Sequence, residues 1–330
     1  MMSKLGYAWV VGASVFVIAM SVSAGTIRDD RDPGIYLAGG VLSDYASVGR
    51  INGTTTSYSF VGSGTLIADD WVLTAGHIVD QATSLTFDIG GSTYSAAKWL
   101  AYPKWNNDLL SGYDIGMLQL SSPVSGITPA ERYAKSDELG LAATFVGFGM
   151  TGTGLTGATA FDGQKRAGNN VIDAFYSRSP KKAPSIFLSD FDNPLDPLDS
   201  AYGSSTPLDL EYLIAPGDSG GGVFVDLGAG PLLAGVNSFV AAFDGNTDSD
   251  YGDVSGHIRV SMFNNWIDSV ISGGGGKGGN KGGGGKGHNG ASFNEMISYD
   301  SLSSMDAVPE PVSVALFAVA GWLAFAVRRR

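Results

Sequence analysis

Between residues 33 and 260, apolar positions come in short runs broken by Gly, Asn, Asp, Ser and Pro. Runs rich in Val, Ile, Phe, Tyr and Thr predict strands at Ser57–Ile67, Trp71–Thr74, Ser84–Ile89, Ile115–Leu120, Ala143–Phe148, Gly222–Val225, Leu232–Phe239 and His257–Ser261. Helical spacing comes last. In Val260–Ile271, Phe263, Trp266, Ile267, Val270 and Ile271 share one face. This is an all-β pattern closed by a helix. Two antiparallel barrels fit it, but periodicity alone does not choose a barrel over a sandwich.

The ends follow other rules. Lys4, the apolar run Ala8–Met20 and the small residues Val22-Ser23-Ala24 read as a secretory signal peptide over residues 1–24; a retained membrane anchor is the other reading. The protein domain then spans residues 25–272. Residues 273–307 are a Gly/Lys-rich linker and a polar stretch without the apolar surface to fold. Residues 308–330 hold Val308-Pro309-Glu310-Pro311, an apolar run over 312–327 and Arg328–Arg330. As a helix that run spans about 24 Å, short for a hydrocarbon core of about 30 Å. The basic end would stay cytoplasmic.

Charge and composition narrow the chemistry. Residues 25–272 carry 13 basic and 28 acidic side chains, which repel a phosphate backbone and argue against nucleic-acid binding. There is no cysteine, so disulfides, cysteine-ligated metals and thiol redox chemistry are excluded.

Three histidines are candidates for a general base. His288 lies in the glycine linker, where nothing orients it. His77 follows the strand-like Trp71–Thr74 at a small-residue corner, Thr74-Ala75-Gly76-His77. Asp114 opens the apolar strand Ile115–Leu120, where a buried carboxylate needs a partner; a surface turn is the plainer reading of that residue alone. Ser219 sits in Pro216-Gly217-Asp218-Ser219-Gly220-Gly221-Gly222, whose glycines permit a tight bend with N–H groups near a bound carbonyl. The same string fits the G-x-S-x-G elbow of α/β-hydrolases. That order needs a histidine after the serine, His257 or His288, and alternating helices that are missing here.

In the order His77, Asp114, Ser219, with gaps of 37 and 105 residues, the three segments resemble the chymotrypsin/trypsin serine proteases over about residues 33–268. The resemblance implies two six-stranded antiparallel β-barrels with a C-terminal helix, and a His77–Asp114–Ser219 triad acting through an acyl-enzyme on protein or peptide substrates. It implies an oxyanion hole from the N–H groups of Gly217 and Ser219, and a Ser238 hydroxyl supporting the aspartate. No cofactor or metal is implied. Leu213 stands where trypsins carry an Asp at the pocket floor, and Val240 where wide pockets have Gly, so small or medium apolar residues are expected at the cleaved position. Asp218 is the group that a freed N-terminal amine meets in many relatives. The family's Ile-Val-Gly-Gly start is absent; Ile27 and the bond after Arg31 are both conceivable starts.

The tail resembles the PEP-CTERM sorting signal of Gram-negative bacteria. That implies export, processing by signal peptidase and an exosortase-type enzyme, and a transient or retained membrane segment at the cell surface. A catalytically inactive surface binding or adhesion domain on the same scaffold is the alternative function; an esterase is a third.

Three features stay open in the sequence. Asp244–Asp250 alternates oxygen ligands like a calcium loop but lacks Gly at the sixth place and Glu at the twelfth, where Ser255 stands, so a solvated loop is expected. Asp190–Glu211 reads as an acidic surface insertion. His257 is either packed structurally or tunes substrate choice.

Overall fold

The computed structural model describes residues 25–273. The segments expected to be a signal peptide and a sorting tail, and most of the expected linker, therefore lie outside the described residues. Among those described, no helix is long and apolar enough to cross a membrane.

The chain opens with β1 (Gly25–Ile27) and a helix, α1 (Pro33–Gly40). Asp32 caps α1 by accepting from the Gly34 N–H at 2.8 Å, and Pro33 opens it, where no N–H is required. Six strands follow: β2 (Val48–Thr54), β3 (Ser59–Ala68), β4 (Trp71–Thr74), β5 (Ser84–Ile89), β6 (Ser92–Ala101) and β7 (Gly116–Leu120). A short helix, α2 (Gly76–Val79), lies between β4 and β5. Pairing in the order β2-β3-β4-β7-β6-β5 closes these strands into a barrel. Ile51, Leu66, Val72, Leu73, Phe87, Met117 and Leu118 are fully buried in its core. Burying such side chains stabilises a fold by about 1.5–3 kcal/mol each. With no disulfide, this packing must carry the structure.

The second half contains β8 (Ala142–Gly147), β9 (Thr151–Thr153), β10 (Gly157–Ala160), β11 (Arg166–Val171), β12 (Ala174–Tyr176), β13 (Ile186–Asp190), β14 (Tyr212–Leu213), β15 (Gly222–Asp226), β16 (Pro231–Ala241) and β17 (Val254–Arg259). Seven of them form one curled sheet, β11-β8-β15-β16-β17-β13-β12. The rest form a second sheet, β10-β9-β1-β14, in which the N-terminal strand lies between two strands of the second half. This is the expected chymotrypsin-like, mostly β architecture, with the hydrogen bonds of the second half divided between two sheets.

The chain closes with α3 (Asn264–Ile271), after a 3₁₀ turn at Val260–Met262. The expected helix over 260–271 is thus split at Phe263. Rings from the first barrel and the closing helix meet there: Tyr102 stands edge-on to Phe263 and Trp266, with centroids 5.0 and 5.2 Å apart.

Two expectations change. Asp190–Glu211 is not simply a surface insertion: Asp190–Asn193 and Glu211 are buried, while Leu195 and Leu198 are exposed. The start of the segment continues β13 into the interior, where Asp190 Oδ2 accepts from the N–H groups of Ala201 and Tyr202. The loop at 244–253 is only half solvated. Asp244–Asn246 are exposed, but Ser249 and Asp253 are buried, and Asp248, Asp250 and Asp253 bring carboxylate oxygens within 4.8 Å of one another. Burial and mutual repulsion push Asp250 up to about 6 and Asp253 up to about 8.

Candidate active site

β4 ends at Thr74 and the chain turns through Ala75 into α2, which carries His77. The turn is anchored by the Thr74 hydroxyl, which donates to the Ser63 carbonyl of β3 at 2.8 Å. Asp114 precedes β7, the barrel neighbour of β4, so strand pairing alone brings the two residues together. The Asp114 carboxylate is fully buried and accepts twice from His77: Oδ1 from the backbone N–H at 2.8 Å and Oδ2 from the ring Nδ1, also at 2.8 Å. With a carboxylate facing Nδ1, the proton belongs on Nδ1 and Nε2 is the basic nitrogen. The His77 side chain keeps 22% exposure, so its ring stands at the surface of the site while its partner is sealed beneath.

Ser238 on β16 completes the aspartate's shell, donating from Oγ to Asp114 Oδ2 at 2.5 Å. That bond crosses from the second half of the chain to the first.

Ser219 sits on the turn between β14 and β15. Its glycines are required there. Gly217 and Gly220 hold φ of 100° and 85°, a region side chains avoid, and a Cβ on Gly220 would lie 2.0 Å from Thr74 Oγ1. The turn therefore abuts the corner that precedes His77. Ser63 clamps it from the first barrel: its N–H donates to the Ser219 carbonyl at 2.8 Å and its Oγ to the Gly217 carbonyl at 3.0 Å. Asn237 clamps it from β16, its carbonyl accepting from Gly220 N–H and its N–H donating to Gly221. Among the described residues, the N–H groups of Gly217 and Ser219 donate to no protein acceptor.

Asp218 points away from Ser219 into the second half. It is fully buried, and burial pushes it up to about 6, against three donors. Gly149 N–H reaches Oδ1 at 2.8 Å, while Ala215 N–H and the Tyr212 hydroxyl reach Oδ2 at 2.9 and 3.2 Å. Leu213, in β14, is fully buried and pairs with Thr26 of β1. Val240 is half-buried and lies opposite Ser255 across β16 and β17.

His257 belongs to the core. It is fully buried between the rings of Phe145 and Phe187, with centroids 4.5 and 5.0 Å away. Its Nδ1 and Nε2 meet Asn237 Oδ1 at 3.0 Å and Ser255 Oγ at 2.8 Å, and burial lowers it to about 3, so it is neutral. Of its two readings, the packed one is what the fold contains.

Sequence reasoning missed Ser63, Asn237 and Tyr212. Each acts through a backbone contact or a buried hydroxyl that no local motif marks.

Comparison with known proteins agrees with this fold. The fold is of the chymotrypsin-like class. HL collagenase, a solved structure, superposes with a TM-score of 0.51 at 19% identity, covering 69% of this chain and 94% of its own. The trypsin family profile matches residues 45–179. Chymotrypsin-like elastase family member 1 of Canis lupus familiaris is 28% identical over 222 residues, 63% of this chain and 80% of the relative. The Felis catus protein of that name is 26% identical over 233 residues, 63% and 78%. Together these similarities give a chymotrypsin-like fold and a trypsin-family match over part of the chain.

Proposed function

We propose that the protein is an exported serine endopeptidase that cleaves peptide bonds with His77, Asp114 and Ser219. The observation that carries this is the doubly bonded His77–Asp114 pair, sealed by Ser238 and set beside the glycine-bent Ser219 turn. His77 Nε2 takes the Ser219 proton as Oγ attacks the scissile carbonyl. The N–H groups of Gly217 and Ser219 stabilise the oxyanion. His77 then passes the proton to the leaving amine, and water repeats the sequence to release the acid. Asp114 holds the ring's tautomer and offsets the imidazolium charge.

The substrate class is proteins or peptides with a small or medium apolar residue before the cleaved bond. Val240 supports this by placing a β-branched side chain opposite Ser255, and the buried Leu213 offers no charge for Lys or Arg. The elastase names of the similar proteins point the same way. The leader 1–24 and the tail 308–330 add export and surface sorting, through signal peptidase and an exosortase-type enzyme.

The test is Ser219→Ala against wild type on casein and a fluorogenic peptide, with labelling by a serine-directed fluorophosphonate. Wild type is expected to cleave and label at Ser219, and the variant to do neither. An unlabelled, inactive wild type would instead leave a binding domain on a protease scaffold.

A further inference from the structure

The carboxylate beside the nucleophile already has a partner from within the chain. Asp218 receives the Tyr212 hydroxyl at 3.2 Å, and both side chains are fully buried. Space around the carboxylate is tight: a Cβ on Gly149 would lie 2.5 Å from its Cγ. The phenol is roofed by the first described residues. Ile27 pairs with Tyr212 across β1 and β14, and Thr26 pairs with Leu213. A Cβ on Gly25 would lie 2.1 Å from the Tyr212 hydroxyl oxygen. β1 is held on its other edge by β9, in register from Gly25↔Thr151 to Ile27↔Thr153. The Arg166 guanidinium, itself fully buried and paired with Asp162 at 2.7 Å, favours the ionised form of the Asp218 carboxylate.

We propose that Tyr212 is a positioning residue that orders the Ser219 turn through Asp218, so the site is competent without a freed N-terminal amine. Rotation of Asp218 would pull on the backbone of Gly217 and Ser219, its direct neighbours, whose N–H groups form the proposed oxyanion hole. The Tyr212 hydroxyl is the side-chain donor that resists that rotation, beside the N–H groups of Gly149 and Ala215, and β1 keeps the phenol in place. The roof is β1, a strand paired on both edges. The proposal rests on the serine-protease reading and concerns its regulation: the enzyme is not a zymogen of the amine-insertion kind.

The experiment uses the full-length exported chain in three forms: wild type, an Ala-Ser insertion between Ala24 and Gly25, and Tyr212→Phe. N-terminal sequencing, thermal melting, fluorophosphonate labelling, kcat and KM are read for each. The extended form is expected to keep kcat/KM within about twofold of wild type. Tyr212→Phe is expected to lose about tenfold in kcat with KM and melting midpoint nearly unchanged, as for removal of one hydrogen bond to a charged group. A folded but inactive extended form would overturn the proposal. So would an undiminished kcat in Tyr212→Phe, or an active wild type whose N-terminus lies beyond Ile27. If Tyr212→Phe does not fold, the extended form decides. Failure of the protease reading looks different: wild type itself neither labels nor turns over.

Discussion

Ser238 and Asp114, 124 residues apart, are joined by a 2.5 Å hydrogen bond from hydroxyl to carboxylate. It is the direct side-chain link between the second half of the chain and the residue that orients His77. The proposed general base is thus set by both halves at once, and each arm of the bond can be tested.

Ser238→Ala should remove one donor from a fully buried carboxylate while leaving both His77 contacts. About a tenfold fall in kcat with little change in KM is the expected outcome. Steady-state kinetics on a fluorogenic peptide measures it. An equal rise in KM would point instead to lost substrate binding.

Asp114→Asn keeps the shape and removes the charge. The amide can present its N–H to Nδ1, which forces the proton to Nε2 and leaves no base facing Ser219. Loss of about 10⁴ in kcat near neutral pH is expected, with the fold retained. Circular dichroism and a burst titration of the acyl-enzyme separate the two effects.

Val240→Gly should widen the pocket where Val240 lies opposite Ser255. The ratio of kcat/KM for Phe over Ala at the cleaved position should rise by about tenfold or more, as a few methylene-sized volumes are released. Paired chromogenic peptides measure this ratio, and an unchanged ratio would remove Val240 from the pocket.

Glu211 is buried, and burial pushes it up to about 9; its Oε2 accepts from Leu208 N–H at 2.5 Å. Because the folded state holds a proton that the unfolded chain has released, its contribution is present below about pH 4.5 and is lost as pH rises towards 9. Glu211→Gln is neutral throughout. It should melt about 5 °C higher than wild type at pH 9 and nearly level with it at pH 4. A pH series of thermal melts decides the sign.

Much of this was legible in the sequence. Trp71–Thr74 and Ser84–Ile89 form strands at the bounds their β-branched and aromatic content predicts. Val48–Thr54 and Ser92–Ala101 are equally strands, yet their Gly, Arg, Asn and Lys residues hide the pattern. Their pairing comes from neighbours in a closed barrel, and strand preference depends on those neighbours more than on the residue itself. The same limit applied to Asp190–Asn193, whose acidic composition reads as surface although the fold buries it.

The sequence by itself determined the chemistry available: scarce histidines, no thiols, and glycines that only a sharp turn explains, in an order that excludes the hydrolase elbow. Those are local properties of side chains and backbone. Only the tertiary structure added Ser63 and Tyr212 to the expected Ser238 and decided which histidine stays out of the site. Ser238 reaches Asp114, Ser63 clamps the Ser219 turn and Tyr212 holds Asp218, while His257 is sealed between two rings as a neutral core residue. Hydrogen bonds act over about 3 Å of space and are indifferent to separation along the chain, so their partners emerge only when the strands have paired.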